Sequence, residues 1–73
     1  MNVEDKVREI LIEFLGAPTD FSTSSTFETL GSDSLAMMEV IMEVEDSFGI
    51  EVSDEIVENL QTPKDLINFL DKE

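Results

Sequence analysis

The stretch "LGSDSLAMMEVIMEVEDSFGIEV", Leu30 to Val52, decides how this chain is read. Asp33 is a strong N-cap residue and Gly49 a strong helix terminator, so the run between them, Ser34 to Phe48, is expected to be helical. With Ser34 at zero on a wheel of about 100° per residue, Met37, Val40, Ile41, Val44 and Phe48 cluster near about 300°. That is a core-facing stripe. Leu35, Met38 and Met42 fall apart from it, between about 40° and 100°. Glu45 lies between the two groups, and Glu39 and Asp46 border the second on its far side. A helix on the surface of a small domain normally needs one apolar stripe, not two. Either another element covers the second, the long preceding loop being available for that, or it is a docking strip with an acidic border. Methionine suits the latter because it is unbranched and adapts to several partner shapes. Ser34, at the head of the helix, reads on physical grounds alone as part of the cap. A hydroxyl there is also accessible, beside backbone N–H groups that favour an attached phosphate.

Working outward, Val3, Val7, Ile10, Leu11 and Phe14 recur at helical spacing. They predict a first helix from Val3 to Leu15, capped by Asn2 and ended by Gly16, with Pro18 preventing its resumption. Ile12 falls on the other face. Residues 17–33, "APTDFSTSSTFETLGSD", form a long connection whose Ser/Thr run favours local side-chain hydrogen bonds over helix. Phe21, Phe27 and Leu30 are its expected anchors, with a helical turn near Phe27 to Leu30. After Gly49, Ile50 to Val52 reads as extended. Ser53 caps a short helix from Asp54 to about Leu60. Thr62, Pro63 and Asp65 then start a last helix that ends near Asp71, with Leu66, Ile67, Phe69 and Leu70 as its apolar side. The expected fold is all-α: a small bundle of three main helices plus one short helix, with a long loop between the first two. Residues 1–73 read as a single domain.

Composition narrows the function. Eighteen acidic residues face four basic ones, for a net charge of -14. Lys6, Arg8, Lys64 and Lys72 all lie near the ends. Such a surface repels nucleic-acid backbones and anionic lipid, and attracts basic patches on other proteins. The absence of cysteine and histidine excludes disulfides, thiolate zinc sites and most hydrolase or transferase constellations. No calcium loop of the Asp-x-Asp-x-Asp-Gly type occurs, so no metal site is expected. Diffuse divalent binding around Glu39, Glu43, Glu51, Asp54, Glu55 and Glu58 would only relieve self-repulsion. Without a transmembrane span or signal-peptide pattern, a cytoplasmic, monomeric, membrane-free protein is expected.

The residues "LGSDSL", 30 to 35, resemble the prosthetic-group attachment motif of the acyl carrier protein family, commonly Leu-Gly-x-Asp-Ser-Leu. The likeness continues through "MEVIMEVEDSFGIEVSDE", 38 to 55, and "TPKDLINFL", and so spans nearly the whole chain. It implies that Ser34 carries 4'-phosphopantetheine, placed there by a separate phosphopantetheinyl transferase whose recognition surface includes Asp33. It implies a non-catalytic carrier that holds acyl groups as thioesters, which explains how a chain without cysteine does thiol chemistry. Leu35, Met38, Glu39, Met42, Glu45 and Asp46 match positions that contact synthase enzymes through basic docking patches. Met37, Val40, Ile41, Val44 and Phe48 match the core between the helices that admits an acyl chain.

Two positions depart from the carriers of primary fatty-acid synthesis. Ala36 stands where an acid is usual, and Met38 where valine is common. A specialised carrier, for polyketide or unusual-lipid assembly, is therefore a rival to one serving fatty-acid synthesis. Aminoacyl, peptidyl and D-alanyl carriers form a second alternative, against which Leu35 leans towards acyl cargo. An unmodified acidic interaction module is the alternative of another class.

Overall fold

The computed structural model describes residues 2–72. Its four helices are α1 (Val3–Leu15), α2 (Ser34–Phe48), α3 (Asp54–Asn59) and α4 (Pro63–Asp71). No strand occurs among the described residues. The all-α arrangement read from the sequence is the one observed, including the long connection between the first two helices.

The helix ends follow the local chemistry of the chain. The Asn2 side chain accepts the Asp5 N–H at 2.8 Å, and Gly16 ends α1 in the left-handed region. At the start of α4, the Thr62 hydroxyl accepts the Asp65 N–H while the Asp65 carboxylate accepts the Thr62 N–H. This reciprocal pairing, with Pro63 at the first helical position, satisfies two otherwise orphaned donors. The end of α2 requires a residue that tolerates positive φ. Gly49 supplies it at φ 67°, and its N–H closes onto the Glu45 carbonyl at 2.8 Å. The last residue expected in the third helix, Leu60, lies one position beyond it. Leu60 turns to an extended conformation and packs against the core instead of continuing α3.

Helix α1 packs on both α2 and α4. Their shared core contains Val7, Ile10 and Leu11 from α1, Val40 and Val44 from α2, and Leu66 and Leu70 from α4. The long loop completes that core with Ala17, Phe21 and Phe27, and Leu30 packs against it half-buried. Ile12, on the opposite face of α1, is also half-buried against the core. Phe27 to Leu30 form the expected turn, the Leu30 N–H bonding both the Thr26 and Phe27 carbonyls at 3.1 Å.

Backbone hydrogen bonds sew the loop to the opposite end of the chain. The Phe27 N–H reaches the Gln61 carbonyl at 3.0 Å, and the Lys64 N–H reaches the Thr23 carbonyl at 2.9 Å. Arg8 ties the same loop to α1. It donates to the Phe21 carbonyl at 2.8 Å and lies 4.4 Å from the centroid of the Phe21 ring. These ties hold the loop against α1 and α4 and leave the second apolar stripe of α2 uncovered.

Candidate functional site

The two stripes of α2 separate as the wheel anticipates. Val40, Ile41 and Val44 are buried, and Met37 and Phe48 are half-buried against the core. On the other face, Leu35 is 67% exposed, Met38 61% and Met42 63%. Glu39 and Asp46 are exposed beside them. Side chains of this size held in water are unusual for a small domain, and an apolar strip with a polar rim is the anatomy of an interaction surface.

The cap of α2 is Asp33, whose carboxylate accepts the Ala36 N–H at 2.8 Å. Ser34 is the first helical residue. It is exposed, and its hydroxyl has no hydrogen-bond partner among the described residues. The simpler reading of this serine as a cap is thus taken over by its neighbour, and the hydroxyl is left spare. The backbone N–H groups of Ser34 and Leu35 are orphaned at the head of the helix, as the geometry of a helix start requires. No acidic residue occupies the first turn. An esterified phosphate at Ser34 would meet the positive end of the helix dipole.

Ser34 also stands at the rim of a groove of about 320 Å³ between α2 and α3. Met37, Met38, Ile41, Met42, Val52 and Val57 give it an apolar lining, to which Glu45 and Asp54 add two carboxylates. Its volume is that of a small ligand pocket, which run from roughly 300 Å³ upward. Ile41 and Val52 are buried here, outside the main core cluster. Of the five residues expected to admit an acyl chain, Met37 and Ile41 line this groove. Val40 and Val44, both 0% exposed, sit in the main core, and Phe48 packs on it.

Glu45 has a part that the wheel does not reveal. It is half-buried, and its carboxylate accepts the Val52 N–H at 2.8 Å. It thereby pins the connection leading into α3. Val52, Asp54 and Val57 are groove residues that the sequence reading did not single out. Their only signal was the apolar spacing of Val52, Ile56 and Val57.

Charge is distributed as unevenly as apolar surface. The two ion pairs among the described residues, Lys6 to Glu9 at 3.6 Å and Arg8 to Glu4 at 3.3 Å, both lie on α1. Among the described residues the carboxylates of α2 form no ion pair. No cluster of three or more side chains suited to a metal ion occurs among the described residues, and none of their helices is long and apolar enough to cross a membrane.

Ser34 is thus an exposed, unengaged serine at a capped helix start that opens onto an apolar groove. The family model described as "Phosphopantetheine attachment site" matches residues 5–70. The acyl carrier protein of Solidesulfovibrio magneticus is 39% identical over 99% of this chain and 95% of its own length. That of Akkermansia muciniphila is 40% identical over 97% of this chain and 91% of its own. The chain belongs to the acyl carrier protein family, whose prosthetic group is covalently attached 4'-phosphopantetheine.

Proposed function

We propose that Ser34 carries the phosphopantetheine arm and that the protein ferries acyl groups to the synthase enzymes of fatty-acid or related biosynthesis. The arm, when attached, supplies a terminal thiol that holds acyl groups as thioesters. The protein's own residues provide the tether point, the docking face and the shelter. One observation supports this reading above the rest: the spare hydroxyl of Ser34 stands at the head of the same helix that carries the exposed Leu35, Met38 and Met42.

The geometry supports each role. Asp33 keeps its carboxylate on the helix start, so the Ser34 hydroxyl is presented in a fixed place to a phosphopantetheinyl transferase. Leu35, Met38 and Met42 give a partner enzyme an apolar landing strip. Glu39, Glu45 and Asp46 steer a basic patch on that partner into register and speed its arrival more than they tighten the complex. Weak, quickly formed complexes suit a carrier that must visit several enzymes in turn. The α2–α3 groove receives the proximal part of an acyl chain beside Met37 and Ile41. A longer chain reaches Val40, Val44 and Phe48 only if the main core widens, a deformation that Met37 can accommodate. Ala36 and Met38 make a dedicated pathway, such as polyketide or specialised lipid assembly, a rival to primary fatty-acid synthesis.

The decisive measurement is intact mass after incubation with a phosphopantetheinyl transferase, coenzyme A and magnesium. Wild type gains the mass of one phosphopantetheine, and Ser34→Ala gains none. An unmodified wild type would reduce the protein to an acidic interaction module. Thioesters co-purifying with the modified protein would then distinguish acyl from aminoacyl or peptidyl cargo. Amide shifts of an octanoyl form that matched the unacylated form would remove the proposed shelter in the groove.

A further inference from the structure

Met37 lines the groove beside Ser34 and also packs against the main core. A chain that outgrows the groove therefore has to displace core side chains. The parts that enclose the core differ in what it costs to move them. Helix α1 packs on both α2 and α4, so parting any of these opens a helix interface. Helix α3 contributes no buried side chain, so moving it widens the groove and not the core. What is left is the long loop. Ala17, Phe21 and Phe27 enter the core from it, and both aromatic side chains are only 4% exposed. They can move aside without parting two helices.

How firmly the loop is held then decides how much room the core can make. Thr23 and Phe27 are tied by backbone bonds to Lys64 and Gln61. The bonds from the Phe21 N–H to Pro18 and from the Ser25 N–H to Ser22 join near neighbours, and so shape the loop without attaching it. At Phe21 the attachment is Arg8. Its guanidinium donates to the part-buried Phe21 carbonyl, lies against the Phe21 ring, and is itself held by the Glu4 carboxylate. We propose that Arg8 sets the length of acyl chain that the protein shelters. While it holds Phe21, the core keeps its width and a long chain stays partly outside. With that hold loosened, Phe21 gives way and the longer chain is taken in. This rests on the carrier reading given above and adds to it a specificity-determining residue on another helix from Ser34.

The residue type matters for two reasons. A guanidinium is planar and weakly hydrated, so it can cover a ring while its separate N–H groups reach a carbonyl and a carboxylate at once. An ammonium is a compact, strongly hydrated charge and cannot serve all three. Methionine in its place would still cover the ring but would leave the Phe21 carbonyl without its donor, and a part-buried acceptor so abandoned favours opening to water.

The test loads octanoyl- and hexadecanoyl-phosphopantetheine onto the full chain from the acyl-coenzyme A, with a phosphopantetheinyl transferase and magnesium. Wild type, Arg8→Lys and Arg8→Met are compared. Retention on an octyl resin reports how much of the chain lies outside, and the ring resonances of Phe21 report the loop. In wild type the hexadecanoyl form should be retained much longer than the octanoyl form, with the Phe21 ring unmoved by either. In Arg8→Met the hexadecanoyl form should elute near the octanoyl form and the Phe21 ring should shift, with Arg8→Lys between. Without cargo, Arg8→Met should speed exchange of the Phe21 amide about tenfold while the Leu66 and Leu70 amides keep their protection. Equal retention of the two wild-type forms, a hexadecanoyl Arg8→Met form retained like wild type, or unchanged exchange at Phe21 would each overturn the proposal. So would protection lost in α4 together with the loop, since Arg8 would then support the whole fold. If wild type is loaded and the Arg8 variants behave like it, the length limit fails and the carrier reading stands. If wild type accepts no acyl-phosphopantetheine, the carrier reading falls and takes the length limit with it.

Discussion

Helices α3 and α4 begin alike and end up in different circumstances. Each starts with a hydroxyl cap and has acid in its first turn. Helix α4 buries Pro63, Leu66 and Leu70 and packs on α1. Helix α3, six residues long, buries none of its own. Ile56 and Val57 are half-buried, and the connection into the helix is held by the buried Val52 side chain and by the hydrogen bond from the Val52 N–H to the Glu45 carboxylate. The difference teaches that a start signal nucleates a helix, whereas attachment to the molecule comes from the apolar side chains it commits to the core. It also shows where the molecule can yield. The groove beside Ser34 lies on this more loosely packed α3 side.

Removing core from each helix should break or sharpen this contrast most strongly. Leu66→Ala should cost about 2–5 kcal/mol, the range for a buried leucine truncated in a packed core. On the scale of this chain that is a large part of total stability. Val57→Ala should cost under about 1 kcal/mol, since part of that side chain is already in water. Urea unfolding of both variants measures the difference. Equal losses would mean that α3 is as much a part of the core as α4.

The caps come next. Thr62→Ala removes one half of the reciprocal pairing at α4 and should lower global stability by about 1 kcal/mol. Ser53→Ala removes the acceptor for the Ile56 N–H, a bond of 3.3 Å, and should scarcely change the global midpoint. Its effect should appear as faster amide exchange confined to α3, because a weakly attached element opens on its own. If Ser53→Ala lowers the midpoint as much as Thr62→Ala, the two helices unfold as one unit.

The smallest and most local effect is expected at the tie between α2 and the connection into α3. Glu45→Ala should speed exchange of the Val52 amide about tenfold, the ~1.4 kcal/mol of one net hydrogen bond, while the amides of α4 keep their protection. Unchanged exchange at Val52 would show that burial of its side chain alone holds the connection. Added salt or magnesium should raise the melting temperature by screening the repulsion among the acidic residues. A flat response would mean that this repulsion is too diffuse to matter.

The local signals in the chain determined a great deal. Asn2, Asp33, Ser53 and Thr62 announce the four helix starts, and Gly16 and Gly49 two of the ends, because capping depends on chemistry within a few residues. The angular separation of Leu35, Met38 and Met42 from Val40, Ile41 and Val44 is a property of α2 alone, so both stripes could be read without knowing what packs on them. Ser34 was legible as a candidate and Asp33 as the cap, but the freedom of the serine hydroxyl was not, since the sequence does not report which side chains come within its reach.

Tertiary structure decided what depends on neighbours from other parts of the chain. That the long loop turns to α1 and α4 and leaves the second stripe open rests on Arg8 reaching Phe21 and on backbone pairing with Gln61 and Lys64. That Glu45 ties down Val52, seven residues away beyond a left-handed glycine, depends on the direction the chain takes after α2 ends. Phe14 reads in sequence as one more core residue of α1. It becomes part of a depression among the acids of α2 only because those two helices pack together, and no periodicity within a single helix reports which side chains will face it from another.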